Sequence, residues 1–202
     1  MGQLSGWTAF YDATSGQQPF QTLVNAMGFF AAEKGEATEY FAIDLGCGAG
    51  RDTFTLLAQG WRVLAIDQQP EAIERIQAGV APEQKARLQT QVVAFEDVVL
   101  PPADLINASF SLPFCSPQHF NIFWAKIVNS IRLGGRFAGQ FFGERDDWAG
   151  SPDMTFHTLE QIQQLLNGFE QEFFKEVDEA GKTAVGESKH WHVFSIVARK
   201  LK

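Results

Sequence analysis

The sequence is poor in the features that mark several common functions. Cysteine occurs twice in 202 residues, as Cys47 and Cys115. One sits in a glycine loop and the other in "LPFCSP", which is neither a disulfide framework nor a zinc pattern. A reducing, cytoplasmic setting is the simpler expectation. Basic residues number 16 against 24 acidic ones, a net charge of -8. Nucleic-acid binders cluster Lys and Arg against phosphates, and anionic membranes attract polybasic segments. Neither is expected as a partner. No apolar run reaches the roughly 20 residues of a membrane span. "MGQLSGWTAFYDATSG" lacks the basic and apolar regions of a secretory leader, and its Ser5 stands one place before the usual hydroxyl position of a myristoylation signal. The four histidines, His119, His157, His190 and His192, have no metal-ligand spacing. No metal is expected.

What is present points to a single globular domain, 1–202, of ordinary size and 45% hydrophobic content. Residues 5–32 read as amphipathic helix interrupted at "TSGQQP", and 1–38 as a helical cap on the domain. "EKGEATE" is a charged linker. "YFAIDL" and "RVLAID" are short apolar runs of the kind buried in parallel sheets. "RDTFTLLAQG" and "QPEAIERIQAG" follow them as helices closed by glycine. "LQTQVVAF", "ADLINASF" and "RFAGQFFG" continue the strands. "SPQHFNIFWAKIVNSIRLGG" is a helix begun at Ser116 and Pro117 and stopped by glycines. "HTLEQIQQLLNG" carries a Thr158–Gln161 capping box. "FEQEFFKEV" and "WHVFSIVARK" have no helix between them and so pair antiparallel. Strand–helix alternation of this kind gives an α/β fold, a doubly wound sheet covered on both faces.

In such sheets ligands bind beyond the carboxyl ends of the strands. "DLGCGAG" stands at that place after the first strand, and Asp67 ends the second. Glycine allows positive φ and close backbone approach. The Asp67 carboxylate can accept both hydroxyls of a ribose. Dinucleotide sites use G-x-G-x-x-G to meet a pyrophosphate. Here Gly46, Gly48 and Gly50 give G-x-G-x-G, and Arg51 stands where the last fingerprint glycine belongs. Asp44, two residues before the loop, repels a pyrophosphate and favours an ammonium group. The ligand implied carries a ribose and a positively charged amine.

"DLGCGAGR" followed by "GWRVLAID" resembles motifs I and II of the class I S-adenosylmethionine-dependent methyltransferases, in the form of the tellurite-resistance, TehB-like branch. The resemblance is tight over residues 40–80 and looser, in element order, to 200. It implies a Rossmann-like sheet of seven strands in the order 3-2-1-4-5-7-6, with strand 7 antiparallel. It implies S-adenosylmethionine as cofactor and S-adenosylhomocysteine as product. Asp44 and the backbone of Gly46, Gly48 and Gly50, with Cys47 and Arg51 beside them, are then expected around the methionine part. Asp67, followed by Gln68, is expected at the ribose, and Glu96 or Asp97 near the adenine. Asn107 to Phe110 are expected to flank the sulfonium and the acceptor. For Arg51, a solvent-exposed helix arginine is an equal reading.

Two side chains are candidates for catalysis or for closing the site: Tyr11, in the helical cap, and His157, just before a helix. Phe110 and Phe142 belong to the 19 phenylalanines, most of them core, but lie near strand ends where an apolar wall suits a ligand. Cys115 lacks the proline–cysteine setting of cytosine C5 methyltransferases. "NASF" departs from the asparagine–proline–proline–aromatic motif of amino-group DNA methyltransferases. A small-molecule acceptor, used by a monomer or homodimer, is the function expected. A nicotinamide-dependent oxidoreductase and a non-catalytic S-adenosylmethionine-binding regulator are the alternatives.

Overall fold

The computed structural model describes residues 4–33 and 39–202. Two helices, α1 (Leu4–Thr14) and α2 (Gln21–Ala32), precede β1 (Phe41–Leu45). Then come α3 (Arg51–Ala58), β2 (Arg62–Asp67), α4 (Pro70–Gly79), β3 (Leu88–Val92), β4 (Ala103–Ala108), α5 (Pro117–Ser130) and β5 (Ile131–Gly143). A two-residue strand, β6 (Phe156–His157), leads into α6 (Leu159–Leu165). The hairpin of β7 (Phe169–Lys182) and β8 (Ser188–Lys200) ends the fold.

The sheet order is β3-β2-β1-β4-β5-β8-β7. Neighbours are parallel from β3 to β5, and β8 runs antiparallel to both β5 and β7. Without the short β6, this is the expected seven-stranded order. β6 pairs with Phe142 and Gly143 at the end of β5, on the edge that β4 leaves free. Two other boundaries moved. The "RLGG" segment lies inside β5 rather than closing a helix, because a register shift opposite Ala103–Leu105 absorbs the extra residues and Gly134 takes a positive φ of 78°. The final hairpin extends through most of the expected loop and turns only at residues 183–187.

Alternation along the strands sends Ile43, Leu45, Ile106, Phe137 and Phe141 to one face, against α5 and α6. Ala42, Leu105, Ala138 and Val197 face the other side, against Leu23, Ala26 and Phe30 of α2 and Leu56 and Leu57 of α3. Thus α2 is part of the core, not a peripheral cap; only α1 acts as a cover. Residues 1–3 of the expected cap and 34–38 of the expected linker lie outside the described residues. Among the described residues no helix is long and apolar enough to cross a membrane.

Candidate functional site

Register builds the site. In the parallel pair of β1 and β4, Asp44 stands beside Asn107. Both side chains project to the α2–α3 face, as does Gln140 of β5. These polar residues end otherwise apolar strands, and each finds a partner, as burial demands. The Asn107 amide Nδ2 donates to Asp44 Oδ1 and to Asp52 Oδ2, both at 2.9 Å. Thr53 donates to the other Asp44 oxygen at 2.6 Å. Gln140 donates to Thr22 at 3.0 Å and accepts the amide of Phe110 at 2.9 Å.

Asp44 is 2% exposed and Asp52 4%. Burial, together with the Asp52 charge, pushes the Asp44 carboxyl up to about 7, against the hydrogen bonds from Thr53 and Asn107. No Lys or Arg pairs with either carboxylate among the described residues. Two buried acids held together by neutral donors leave a charge that a cation would suit.

The glycine loop that follows β1 has φ of 65° at Gly46, 51° at Gly48 and 94° at Gly50, a left-handed conformation that favours glycine. A Cβ on Gly46 would lie 2.4 Å from Ser111 Cβ, whereas one on Gly48 would meet only the Tyr11 ring, at 3.4 Å. The loop, the Asp44–Asp52 pair, Phe54, Ser109 and the connector 14–20 wall a cavity of about 480 Å³, within the range of small-molecule sites.

Of the expected residues, the structure brings Asp44, Gly46, Cys47, Gly48 and Arg51 to this cavity. Burial, with Asp44 and Asp67 nearby, pushes the Cys47 thiol well above its usual range. Arg51 turns toward the connector: its Nε donates to the Gln18 carbonyl, and its guanidinium lies 3.8 Å over the Phe20 ring. Burial pulls its pKa down. Asp52 fixes the same connector by accepting the Phe20 amide at 3.0 Å. Gly50 packs behind the loop, against Ile76 and Phe54. Asn107 reaches the cavity through Asp44 and Asp52.

Asp67 lies outside the cavity wall. Its oxygens accept the Gly48 and Gln69 amides, both at 2.9 Å. Burial raises its pKa, with these amides opposing. Tyr11, 2% exposed, borders this half of the crevice. Its phenol is pushed above its ordinary value by burial and then by Asp67, Cys47 and Glu71. Thr8 and Asp12 of α1 hold Glu71 and Arg75 of α4 at 2.6 and 2.8 Å. Gln68, Glu96 and Asp97 are exposed in the turns after β2 and β3, away from the cavity.

His157 sits elsewhere. It packs at 4.5 and 5.4 Å from the Phe120 and Phe141 ring centres and borders a separate cavity of about 360 Å³ with Asn121, Gln161 and Leu165. Its Nδ1 has no partner among the described residues, and burial lowers its pKa to about 4. Parity decides this: β6 pairs with the end of β5, and His157 falls on the α5–α6 face. Glu176, Asp178 and His192 also lie together. The Arg145 guanidinium fills that cluster, 2.6 Å from Asp178 and 3.0 Å from both Glu176 and His192.

Sequence reasoning missed Asp52, Thr53, Phe20 and the connector. The "GRD" that follows the loop held the one available signal, a second acid in the first turn of a helix.

A methyltransferase domain family matches residues 42–135. No curated protein sequence matches the chain. Among solved structures it is similar to TehB from Haemophilus influenzae, with a TM-score of 0.70 and 17% identity over 88% of this chain. The chain spans 61% of the TehB length. It is also similar to the 1,6-didemethyltoxoflavin-N1-methyltransferase of Burkholderia thailandensis (TM-score 0.67, 20% identity, covering 98% of this chain and 86% of that one). Magnesium protoporphyrin IX methyltransferase of Synechocystis matches with a TM-score of 0.70 and 14% identity, covering 98% of this chain and 92% of that one. Sheet order, glycine loop and family match agree on a class I S-adenosylmethionine-dependent methyltransferase domain, whose family match spans residues 42–135.

Proposed function

We propose that this methyltransferase acts on a small-molecule acceptor, with its cofactor's amino group held at the Asp44–Asp52 pair. The observation that carries the placement is that pair: two buried acids without a cationic partner beside a glycine loop. They suit an ammonium group and oppose a pyrophosphate, which weighs against the nicotinamide reading.

Bound S-adenosylmethionine supplies an activated methyl group on a positively charged sulfur. The chain's own residues bind, orient and exclude water. Asn107 and Thr53 hold the carboxylates in place, and the bare loop at Gly46 and Gly48 leaves room for close approach. Asp67, at the end of β2, is the proposed ribose partner once α1 moves aside, and Glu96 or Asp97 the adenine-side acid. Among the described residues no histidine lines the cavity, and burial holds the Cys47 thiol protonated. Alignment of two reactants is then the main contribution, on the order of 7–11 kcal/mol in well-oriented systems. Two of the fold relatives are named for small-molecule acceptors, which supports the same class here.

Calorimetry with S-adenosylmethionine, S-adenosylhomocysteine and NAD tests the cofactor. The adenosyl compounds bind and NAD does not; the reverse would overturn the reading. Labelled methyl transfer to a panel of thiols, phenols and amines tests the acceptor class.

A further inference from the structure

A series of neighbouring aromatic rings leads away from the wall of the cofactor cavity and returns to it. Phe20, in the cavity wall, lies 5.0 Å from Phe110. Phe110 lies 6.2 Å from Trp191, and Trp191 5.7 Å from Trp148. Trp148 meets Phe114 at 6.3 Å, and Phe114 meets Trp7 at 5.1 Å. Trp7 then returns to Phe10, again in the cavity wall, at 5.8 Å. The arc thus begins and ends on the cofactor cavity. All seven rings are only partly buried, so each keeps some surface open.

Phe110 is set there at a cost. Its φ of 54° is the one positive value outside glycine among the described residues, a conformation that bulky side chains avoid. The Gln140 side chain holds its amide. Strain of this kind persists where a side chain must be aimed.

Charge narrows what the arc can take. The Lys189 ammonium is buried beside it, 3.8 Å from the Trp191 ring centre and 4.3 Å from that of Trp148, and is paired with Asp146. The cation–π capacity of these two indoles is already engaged. With that face of the rings occupied and the Lys189 charge neutralised by Asp146, the ring surface left open is apolar and suits an uncharged flat ring.

We infer that this arc is the acceptor subsite, and that the acceptor is an uncharged, planar aromatic compound rather than an alkyl amine or an inorganic oxyanion. The inference rests on the methyl-transfer reading, and it makes Phe110, Phe114 and Trp148 specificity-determining residues.

The test compares 2-naphthol with decahydro-2-naphthol, which share a hydroxyl and a carbon skeleton. Each is titrated into the protein saturated with S-adenosylhomocysteine and into the protein alone. The aromatic compound should bind at least tenfold more tightly. Phe114→Leu and, separately, Trp148→Leu should each weaken it at least fivefold, with unchanged melting temperature and S-adenosylhomocysteine affinity reporting an intact fold. Equal binding of the two compounds, or well-folded variants that both bind 2-naphthol normally, would overturn the inference. Failure of S-adenosylhomocysteine to bind at all would instead overturn the methyl-transfer reading and the acceptor role with it, whatever the arc binds.

Discussion

The carboxylates of Asp44 and Asp52 share one donor, the Asn107 amide nitrogen, at 2.9 Å from each. Two negative charges held this close make ionisation of the pair costly, and the Asp44 carboxyl is raised to about 7 by burial and then by Asp52. In the unfolded chain the same group ionises near 3.9. A raised carboxyl stabilises the free protein below that value, and this contribution is lost as pH climbs toward 7.

With the amino group placed as proposed, the bound cofactor would reverse the preference, because an ammonium group favours ionised Asp44. Affinity for S-adenosylhomocysteine should therefore fall below pH 7, approaching about tenfold per unit, with proton uptake by the free protein. Calorimetry at pH 6, 7 and 8 checks this. Asp52→Asn removes the like charge and should move the inflection to lower pH. A flat profile would place the amine elsewhere.

The loop glycines divide between fold and ligand. A Cβ on Gly46 would collide with Ser111, whose hydroxyl is anchored to the Leu45 carbonyl at 2.6 Å. Gly46→Ala adds overpacking to a left-handed backbone and should cost about 2–4 kcal/mol in denaturant melts. Gly48→Ala meets open space apart from Tyr11 and should cost only about 1–2 kcal/mol. Its larger effect is expected on cofactor affinity, since Gly48 faces the cavity.

The loop and the strand ends were legible because their signals are local: glycine spacing, short apolar runs, and an acid where each run stops. Those carried the strand–helix alternation and Asp44, while the sheet order was implied by the family resemblance. What stayed hidden depends on distant pairings. Asn107 meets Asp52 across 55 positions and Asp44 across 63. Arg51 could be read as an exposed helix residue because the connector it pins lies upstream, beyond any loop motif. The "LGG" after α5 looked like a helix stop because only the partner strand reveals the bulge. His157 was expected at the crevice, but the facing of β6 is set by its pairing with β5.

Tyr11 is expected to act by shape rather than by ionising. Its phenol is pushed above its ordinary value by burial and by Asp67, Cys47 and Glu71, so no phenolate forms near neutral pH. Tyr11→Phe should keep the wild-type pH–rate profile. Tyr11→Ala removes a large buried ring from between α1 and the loop and should cost about 3–5 kcal/mol. A Tyr11→Phe protein that folds but loses turnover would show the hydroxyl to be catalytic.

His157 gives the pH dependence an opposite sign. Burial lowers its pKa to about 4, from 6.5 in the unfolded chain. A lowered imidazole contributes its stability above 6.5 and loses it as pH falls toward 4, by about 2 kcal/mol at pH 5. Asp44 works the other way over an overlapping range, so the melting curve of the wild type mixes both. The difference between wild type and His157→Phe isolates the imidazole. Phenylalanine suits the space between Phe120 and Phe141 and removes the unpartnered Nδ1, so at pH 8 the variant should be at least as stable. At pH 5 its advantage should grow by the imidazole's share. An advantage that does not change with pH would mean that His157 is not held neutral in the folded protein.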